Sequence, residues 1–127
     1  SAGNIYSVLF EENKVEHAYR SMRKSRSTDS TCIEHQYAPT KSGKYAQIRY
    51  GGIKYYCHVV ACMVQHKVVP NLGDEASHLC GNPRCVRPSH LVFEDGITNK
   101  SRLCCHLYLG KANNYICPHE PLCIVGN

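Results

Sequence analysis

The sequence predicts a small domain of the α+β class, and three observations support this prediction. The 127 residues fit a single domain. Apolar residues recur at helical spacing in some segments and alternate at strand spacing in others, with turn residues between them. The chain has nine cysteines and eight histidines, and a core of this size commonly needs extra stabilisation. We therefore expect residues 1–127 to form one mixed domain with antiparallel sheets.

The N-terminal segment, residues 1–31, is expected to form a helix followed by a polar linker. Between residues 5 and 24, apolar residues such as Val8, Leu9 and Val15 recur near helical spacing, and charged residues fill the other side. Polar residues dominate from position 25 to position 31. We interpret this segment as packing structure rather than as a functional site.

Two strands are predicted next, at residues 33–38 and 44–50, with a turn between them. Alternation in the second strand places Tyr45, Gln47 and Arg49 on the same face. A glycine pair then forms another turn before the chain becomes helical.

The second helix is predicted at residues 55–66. His58, Cys62 and His66 recur every four residues on one face, which we interpret as packing rather than as a metal site. The buried stripe of this helix is expected to comprise Tyr56, Val59, Val60 and Met63.

The strongest local signal for chemistry is the pattern Cys80-x4-Cys85-x4-His90. Zinc binds thiolate and imidazole ligands in a tetrahedron, and loops of four residues are short enough to bring three ligands around one ion. Cys32 is the expected fourth ligand, which would connect the first strand to this loop.

A second cluster is Cys117-x-His119-x3-Cys123, with Cys105 upstream as the expected fourth ligand and the adjacent Cys104 as the alternative. A site with four protein ligands has no open position for water and is structural. Its binding free energy contributes directly to folding.

The alternative to zinc is a set of disulfides, but an odd number of cysteines leaves one thiol unpaired. The histidines at ligand spacing also favour zinc. Cys57 and Cys62 are then ordinary buried thiols. Zinc thiolates imply a reducing compartment such as the cytosol or the nucleus. We expect neither a signal peptide nor a membrane span.

The residues around the first cluster predict a strand, a zinc loop, a second strand and a helix. His78 ends the first strand, and residues 91–94 form the second. Asp95 is the expected N-cap of a helix at residues 96–103. Asn99 then lies one turn into that helix, where it can face the strand that carries His78.

This stretch resembles the His-Cys box homing endonucleases, a group within the ββα-metal or His-Me finger nucleases. The motifs that carry the resemblance are ASHLCGNPRCVRPSHL, TNKSR and CPHEPLC, which lie within residues 76–123, and it extends over residues 32–60. It implies a ββα-metal motif with two structural zinc ions. The implied zinc ligands are Cys32, Cys80, Cys85 and His90 in one site and Cys105, Cys117, His119 and Cys123 in the other.

The resemblance also implies three catalytic residues. His78 corresponds to the family's catalytic histidine, Asn99 to its metal-binding asparagine, and Arg49, by spacing, to an arginine that holds the phosphate. An imidazole can accept a proton from water near neutral pH, and a carboxamide oxygen suits a hard cation such as Mg²⁺. The implied reaction is hydrolysis of double-stranded DNA with one Mg²⁺ or other divalent ion, of which Asn99 is the only protein ligand.

The family reads the major groove with a β-sheet, and the resemblance assigns this role to residues 32–55. The net charge of +5 suits a polyanionic partner. Affinity for DNA should then fall steeply with added salt. The expected DNA contacts are Lys41, Lys44, Gln47 and Lys54 on the sheet and Arg84 and Arg87 in the zinc loop.

The function that these observations favour is a site-specific DNA endonuclease of the homing type. Alternatives are a catalytically silent DNA-binding module of the same fold, a nuclease of low specificity, and a zinc-stabilised protein–protein adaptor. The combination of Arg49, His78 and Asn99 favours an enzyme. Only four residues follow Cys123, so we expect either a homodimer that differs from the family's tail-exchanged dimer or a monomer that nicks DNA.

Overall fold

A computed structural model describes residues 4–26, 32–38, 43, 45–108 and 116–124. The elements in chain order are helices and strands α1 (Ile5–Glu11), α2 (Val15–Arg20), β1 (Lys24–Arg26), β2 (Ile33–His35), β3 (Gln47–Tyr50), β4 (Ile53–Tyr56), α3 (Cys57–His66), β5 (Asp74–His78), a 3-10 turn (Pro88–His90), β6 (Leu91–Asp95) and α4 (Gly96–Tyr108). The strands form three two-stranded antiparallel sheets, β1–β2, β3–β4 and β5–β6. The predicted α+β class is confirmed. Within the described ranges, no helix has the length and apolar character needed to cross a bilayer.

The prediction of one N-terminal helix up to residue 24 is wrong. Helix α1 ends at Glu11 and α2 begins at Val15, because Asn13 adopts a left-handed conformation with φ 59°, which asparagine tolerates better than most residues. Lys24, the last residue of the predicted helix, belongs to β1 instead, together with residues 25 and 26 of the predicted linker. Leu9 and Val15 are both buried, so the apolar spacing continues across the break and conceals it.

The β3–β4 hairpin turns at the glycine pair. Gly51 and Gly52 have φ values of 58° and 82°, the backbone that a tight two-residue hairpin turn requires. Ile48 pairs with Tyr55, and both side chains are buried. The opposite face of β3 points outwards, as the alternation in the sequence predicts.

Helix α3 is the central element of the core. It begins at Cys57, two residues later than predicted, because Tyr56 still belongs to β4 and is 38% exposed. Tyr56 is therefore not part of the buried face of α3. That face also includes more residues than predicted, because α3 packs against α2, β4, β5 and β6 at once. The buried residues of α3 are Cys57, His58, Val60, Ala61, Cys62 and Met63.

Strands β5 and β6 and helix α4 form the predicted ββα unit. His78, the last residue of β5, lies opposite Leu91, the first residue of β6, and residues 79–90 form the loop between them. Asp95 caps α4, since its Oδ1 accepts a hydrogen bond from the Thr98 amide at 2.8 Å. The helix extends to Tyr108, beyond the predicted end at residue 103.

Candidate active site and zinc centres

The first cluster, centre 1, consists of Cys32, Cys80, Cys85 and His90, whose ligand atoms lie within 4.8 Å of one another. The Nδ1 atom of His90 is 3.7 Å from the Cys32 sulfur and 3.5 Å from the Cys85 sulfur. Tetrahedral zinc with bonds of about 2.3 Å to sulfur and about 2.0 Å to nitrogen separates such ligand atoms by about 3.5 Å. The cluster therefore fits a structural zinc ion.

The second cluster, centre 2, consists of Cys105, Cys117, His119 and Cys123. The His119 Nδ1 atom lies 3.2, 3.4 and 3.6 Å from the three sulfurs in that order. Cys104 is exposed and is not in the cluster, so the choice between the adjacent cysteines falls on Cys105. Two Cys3His clusters thus fit two structural zinc sites, with the eight residues that the sequence predicts.

A buried arginine connects centre 2 to the ββα unit. Arg102 on α4 is 1% exposed, and its guanidinium donates two hydrogen bonds to the Glu94 carboxylate, at 2.6 and 2.8 Å. It also donates to the Pro121 carbonyl at 2.9 Å and to the Cys123 sulfur at 3.3 Å. Burial opposes ionisation of Glu94, but the bonds from Arg102 outweigh it, and the pKa of Glu94 lies below its ordinary value. Sequence reasoning missed Arg102, because a charged helix residue is usually exposed.

Centre 1 also orients His78. The His78 side chain is 8% exposed, and its Nε2 atom lies 3.0 Å from the carbonyl oxygen of Cys85, a residue of centre 1. A carbonyl only accepts hydrogen bonds, so Nε2 must carry the proton. When the ring is neutral, its lone pair is then on Nδ1, and a neutral imidazole can act as a general base.

His78 is one of three stacked rings. Its ring centroid is 5.2 Å from that of His58, and the His58 ring stacks on Tyr45 at 4.4 Å. Burial, followed by the proximity of two other ionisable rings, His78 and His35, lowers the pKa of His58 to about 3. His58 is therefore neutral at physiological pH and adds no positive charge beside His78. Sequence reasoning treated His58 only as packing, since α3 could not be placed against β5 from the sequence.

Asn99 lies on the first turns of α4 and faces β5, as predicted. Its Nδ2 atom donates to the Glu75 carboxylate at 2.8 Å, and its Oδ1 atom accepts from the Ser77 hydroxyl at 2.6 Å. An open cavity of about 340 Å³ is lined by Asn99, His78, Glu75 and Tyr45, among others. The structure therefore brings His78 and Asn99 to the same cavity, together with a carboxylate that sequence reasoning did not select.

The third predicted catalytic residue, Arg49, does not line this cavity. It is exposed on β3, and its Nη1 atom is 3.4 Å from the Gly52 carbonyl, which accepts a weak hydrogen bond. Its position on the outer face of the hairpin is opposite Lys54.

The predicted DNA contacts fall into three groups. Gln47 and Lys54 lie on the β3–β4 hairpin, whereas Lys41 and Lys44 are outside the described residues. The Arg84 guanidinium donates to the His35 carbonyl at 2.6 Å and to the Tyr37 carbonyl at 3.4 Å, and it pairs with Glu34 at 3.8 Å. Arg84 thus holds the end of β2 against the zinc loop. The last predicted contact, Arg87, is exposed.

A comparison with protein-family models finds a match over residues 13–127 to a family described as the zinc-binding loop region of homing endonuclease. No curated protein matches the chain. The matched range contains both zinc centres as well as His78 and Asn99, in the arrangement of a strand, a zinc loop, a strand and a helix. The chain therefore belongs to the homing endonuclease family with a zinc-binding loop, of the His-Me finger or His-Cys box type.

Proposed function

We propose that this chain is a DNA endonuclease that hydrolyses phosphodiester bonds of double-stranded DNA with one divalent metal ion. The observation that carries the proposal is the pairing of His78 and Asn99 in one cavity, with the tautomer of His78 set by the Cys85 carbonyl. A silent DNA-binding module has no need of an imidazole held in this form.

The residues that would hold the metal ion fit a hard cation. Asn99 offers a carboxamide oxygen, and a carboxylate stands beside it, which are the donor types that Mg²⁺ prefers. A bound Mg²⁺ would neutralise charge on the phosphate and on the leaving oxygen. His78 accepts the proton of the attacking water at Nδ1, while the Cys85 carbonyl keeps Nε2–H in place. The two zinc ions take no part in the reaction.

The β3–β4 hairpin supports a DNA-binding surface. Arg49 and Lys54 lie directly opposite each other on its outer face, and cations in that position repel. Neither takes part in an ion pair among the described residues. A polyanion would relieve the repulsion, and a two-stranded ribbon fits the major groove. We propose that Arg49 and Lys54 contact DNA phosphates and that Gln47, on the same face, reads base edges.

We further propose that two copies act together when both strands are cut, since one active site cleaves one strand. A reducing compartment such as the nucleus would keep the zinc thiolates intact. Site-specific cleavage, of the kind the family name implies, belongs to the same proposal.

The proposal is tested by incubating the protein with supercoiled plasmid and Mg²⁺. We expect discrete cleavage products, and His78→Ala should lower the cleavage rate by about 10³-fold or more, because it removes the general base. Its zinc content and its affinity for duplex DNA should be unchanged. A matched control is His17→Ala, which removes an exposed histidine and should cleave as the wild type does. Binding without cleavage by the wild type, or full cleavage by His78→Ala, would contradict the proposed mechanism.

A further inference from the structure

We propose that Glu75 is a second protein ligand of the catalytic divalent ion, so that a carboxylate and a carboxamide hold the metal together. This inference rests on the proposed function and departs from the expectation that Asn99 is the only protein ligand. It concerns a residue that the family resemblance does not assign.

Glu75 lies next to Asn99 and lines the same cavity as His78, which is the position expected of a second metal ligand. It lies on β5, two residues before Ser77, and its Oε1 atom is 2.8 Å from the Asn99 side-chain nitrogen. Its carboxylate lines the cavity that His78 lines. The pKa of Tyr45 is raised above its ordinary value, mainly by burial and secondly by the negative charge of Glu75. That charge therefore lies near the stacked rings. Among the described residues, no lysine or arginine forms an ion pair with Glu75.

The spacing of the two side chains matches one edge of a magnesium coordination shell. The oxygen and nitrogen of an asparagine amide exchange places when the group turns by half a revolution. After that turn, the Asn99 oxygen would lie about 2.8 Å from the Glu75 oxygen, the separation now found for the nitrogen. Neighbouring oxygens around octahedral Mg²⁺, with bonds of about 2.05 Å, are about 2.9 Å apart.

The surroundings permit this turn of the amide. The Ser77 hydroxyl now donates to Asn99, but it is also within hydrogen-bonding reach of the Glu94 carboxylate. It could therefore donate to Glu94 and accept from the turned Asn99 amide. Without a cation, the amide nitrogen faces Glu75, because two oxygens at that distance would repel.

The backbone leaves room for the carboxylate. Gly96 is the first residue of α4, and a Cβ atom there would come within 2.9 Å of the Glu75 Oε2 atom. Any other residue at position 96 would force the carboxylate to shift. Glycine at this position thus allows Glu75 to sit against the start of the helix, beside Asn99.

The negative charge of Glu75 distinguishes a metal ligand from a residue that only positions Asn99. A glutamine could accept the same hydrogen bond from the Asn99 amide without bringing a negative charge. A carboxylate next to a DNA phosphate repels it unless a cation lies between them. A carboxylate at position 75 therefore favours a cation in this cavity, whereas a glutamine would not.

The test measures metal binding without DNA and without activity. Mn²⁺ is titrated into the zinc-loaded protein, and free Mn²⁺ is followed by electron paramagnetic resonance. We expect one Mn²⁺ site in the wild type and a loss of affinity of about tenfold or more in Glu75→Gln. Glu11→Gln, at an exposed glutamate of α1, is the matched control and should bind Mn²⁺ normally.

The outcomes distinguish this inference from the proposed function. If the wild type binds no Mn²⁺, or if Glu75→Gln binds it as tightly as the wild type, the ligand role of Glu75 is overturned, even where plasmid cleavage is observed. If Glu75→Gln loses affinity as expected while the wild type leaves plasmid intact, the ligand role holds and the nuclease proposal fails. In an active enzyme, Glu75→Gln should also raise the Mg²⁺ concentration needed for half-maximal cleavage by a similar factor.

Discussion

The two zinc centres have the same ligand set, three cysteines and one histidine, but they hold different parts of the molecule. Centre 1 closes the loop between β5 and β6, and its Cys85 carbonyl fixes the ring of His78. Centre 2 joins the end of α4 to the C-terminal segment, and its Cys123 sulfur accepts a hydrogen bond from the buried Arg102. The comparison teaches that the same ligand set can orient a residue of the proposed active site in one place and hold the C-terminal segment in another, depending on which groups surround it.

The largest effect should come from removing one ligand of each centre. Cys32→Ser should empty centre 1 and lower cleavage per folded molecule by about 100-fold or more, because the bond from Cys85 no longer orients His78. Cys117→Ser should empty centre 2 and lower stability, while the ββα unit retains measurable cleavage. The measurements are zinc per chain, helical signal on heating and plasmid cleavage. Equal losses of cleavage in the two variants would contradict the distinction between the centres.

The next effect concerns the ion pair between Arg102 and Glu94, which lies beside centre 2 and is expected to stabilise the fold. Arg102→Ala leaves the Glu94 carboxylate buried without its partner, and we expect the free energy of unfolding to fall by about 3–5 kcal/mol. Urea unfolding of the zinc-loaded protein measures it. The control is Arg20→Ala, which breaks an exposed ion pair with Glu16 at 3.6 Å and should cost less than about 1 kcal/mol. Similar values for the two variants would mean that the buried pair adds nothing.

The smallest effect concerns His58, which stacks on His78 near centre 1. Its titration should make the free energy of unfolding depend on pH. Because the folded pKa of His58 is about 3 and an exposed histidine titrates near 6.5, the unfolded chain binds this proton first as the pH falls. Stability from neutral His58 is fully present above pH 6.5 and declines towards pH 3, at a slope of up to about 1.4 kcal/mol per pH unit.

The matched variant is His58→Phe, which keeps a ring in the stack and removes the titrating group. Its free energy of unfolding should change less with pH than that of the wild type. Urea unfolding between pH 7 and pH 5, with zinc content checked at each pH, makes the comparison. Parallel pH profiles for the two proteins would exclude His58 as the source of the dependence.

The zinc ligands could be predicted because most of them are local. Cys80, Cys85 and His90 lie within one loop, so their spacing alone restricts them to one ion. Cys105 and Cys104 could not be separated in the same way, because neighbouring helix residues differ by about 100° in direction. The packing of α4 decides which of the two faces centre 2.

His78 and Asn99 were predictable because both belong to the continuous ββα segment, in which register and helix phase follow from the sequence. His58 and Glu75 were not, since nothing in their own spacing shows that α3 lies against β5 or that β5 faces the start of α4. The break at Asn13 was missed for a related reason. Two short helices that bury the same side keep the apolar spacing of one long helix.

The sequence by itself determined the class of the fold and the zinc chemistry, because these depend on residue types at short, regular separations. Its motifs also carried the family resemblance that implied roles for His78 and Asn99 in the proposed reaction. Only the tertiary structure decided what surrounds them: the ring stack on His78, the carboxylate beside Asn99, the buried Arg102 and the position of Arg49 on an outer face. Contacts between distant segments follow from how whole elements pack, and the spacing within any one element does not contain that information.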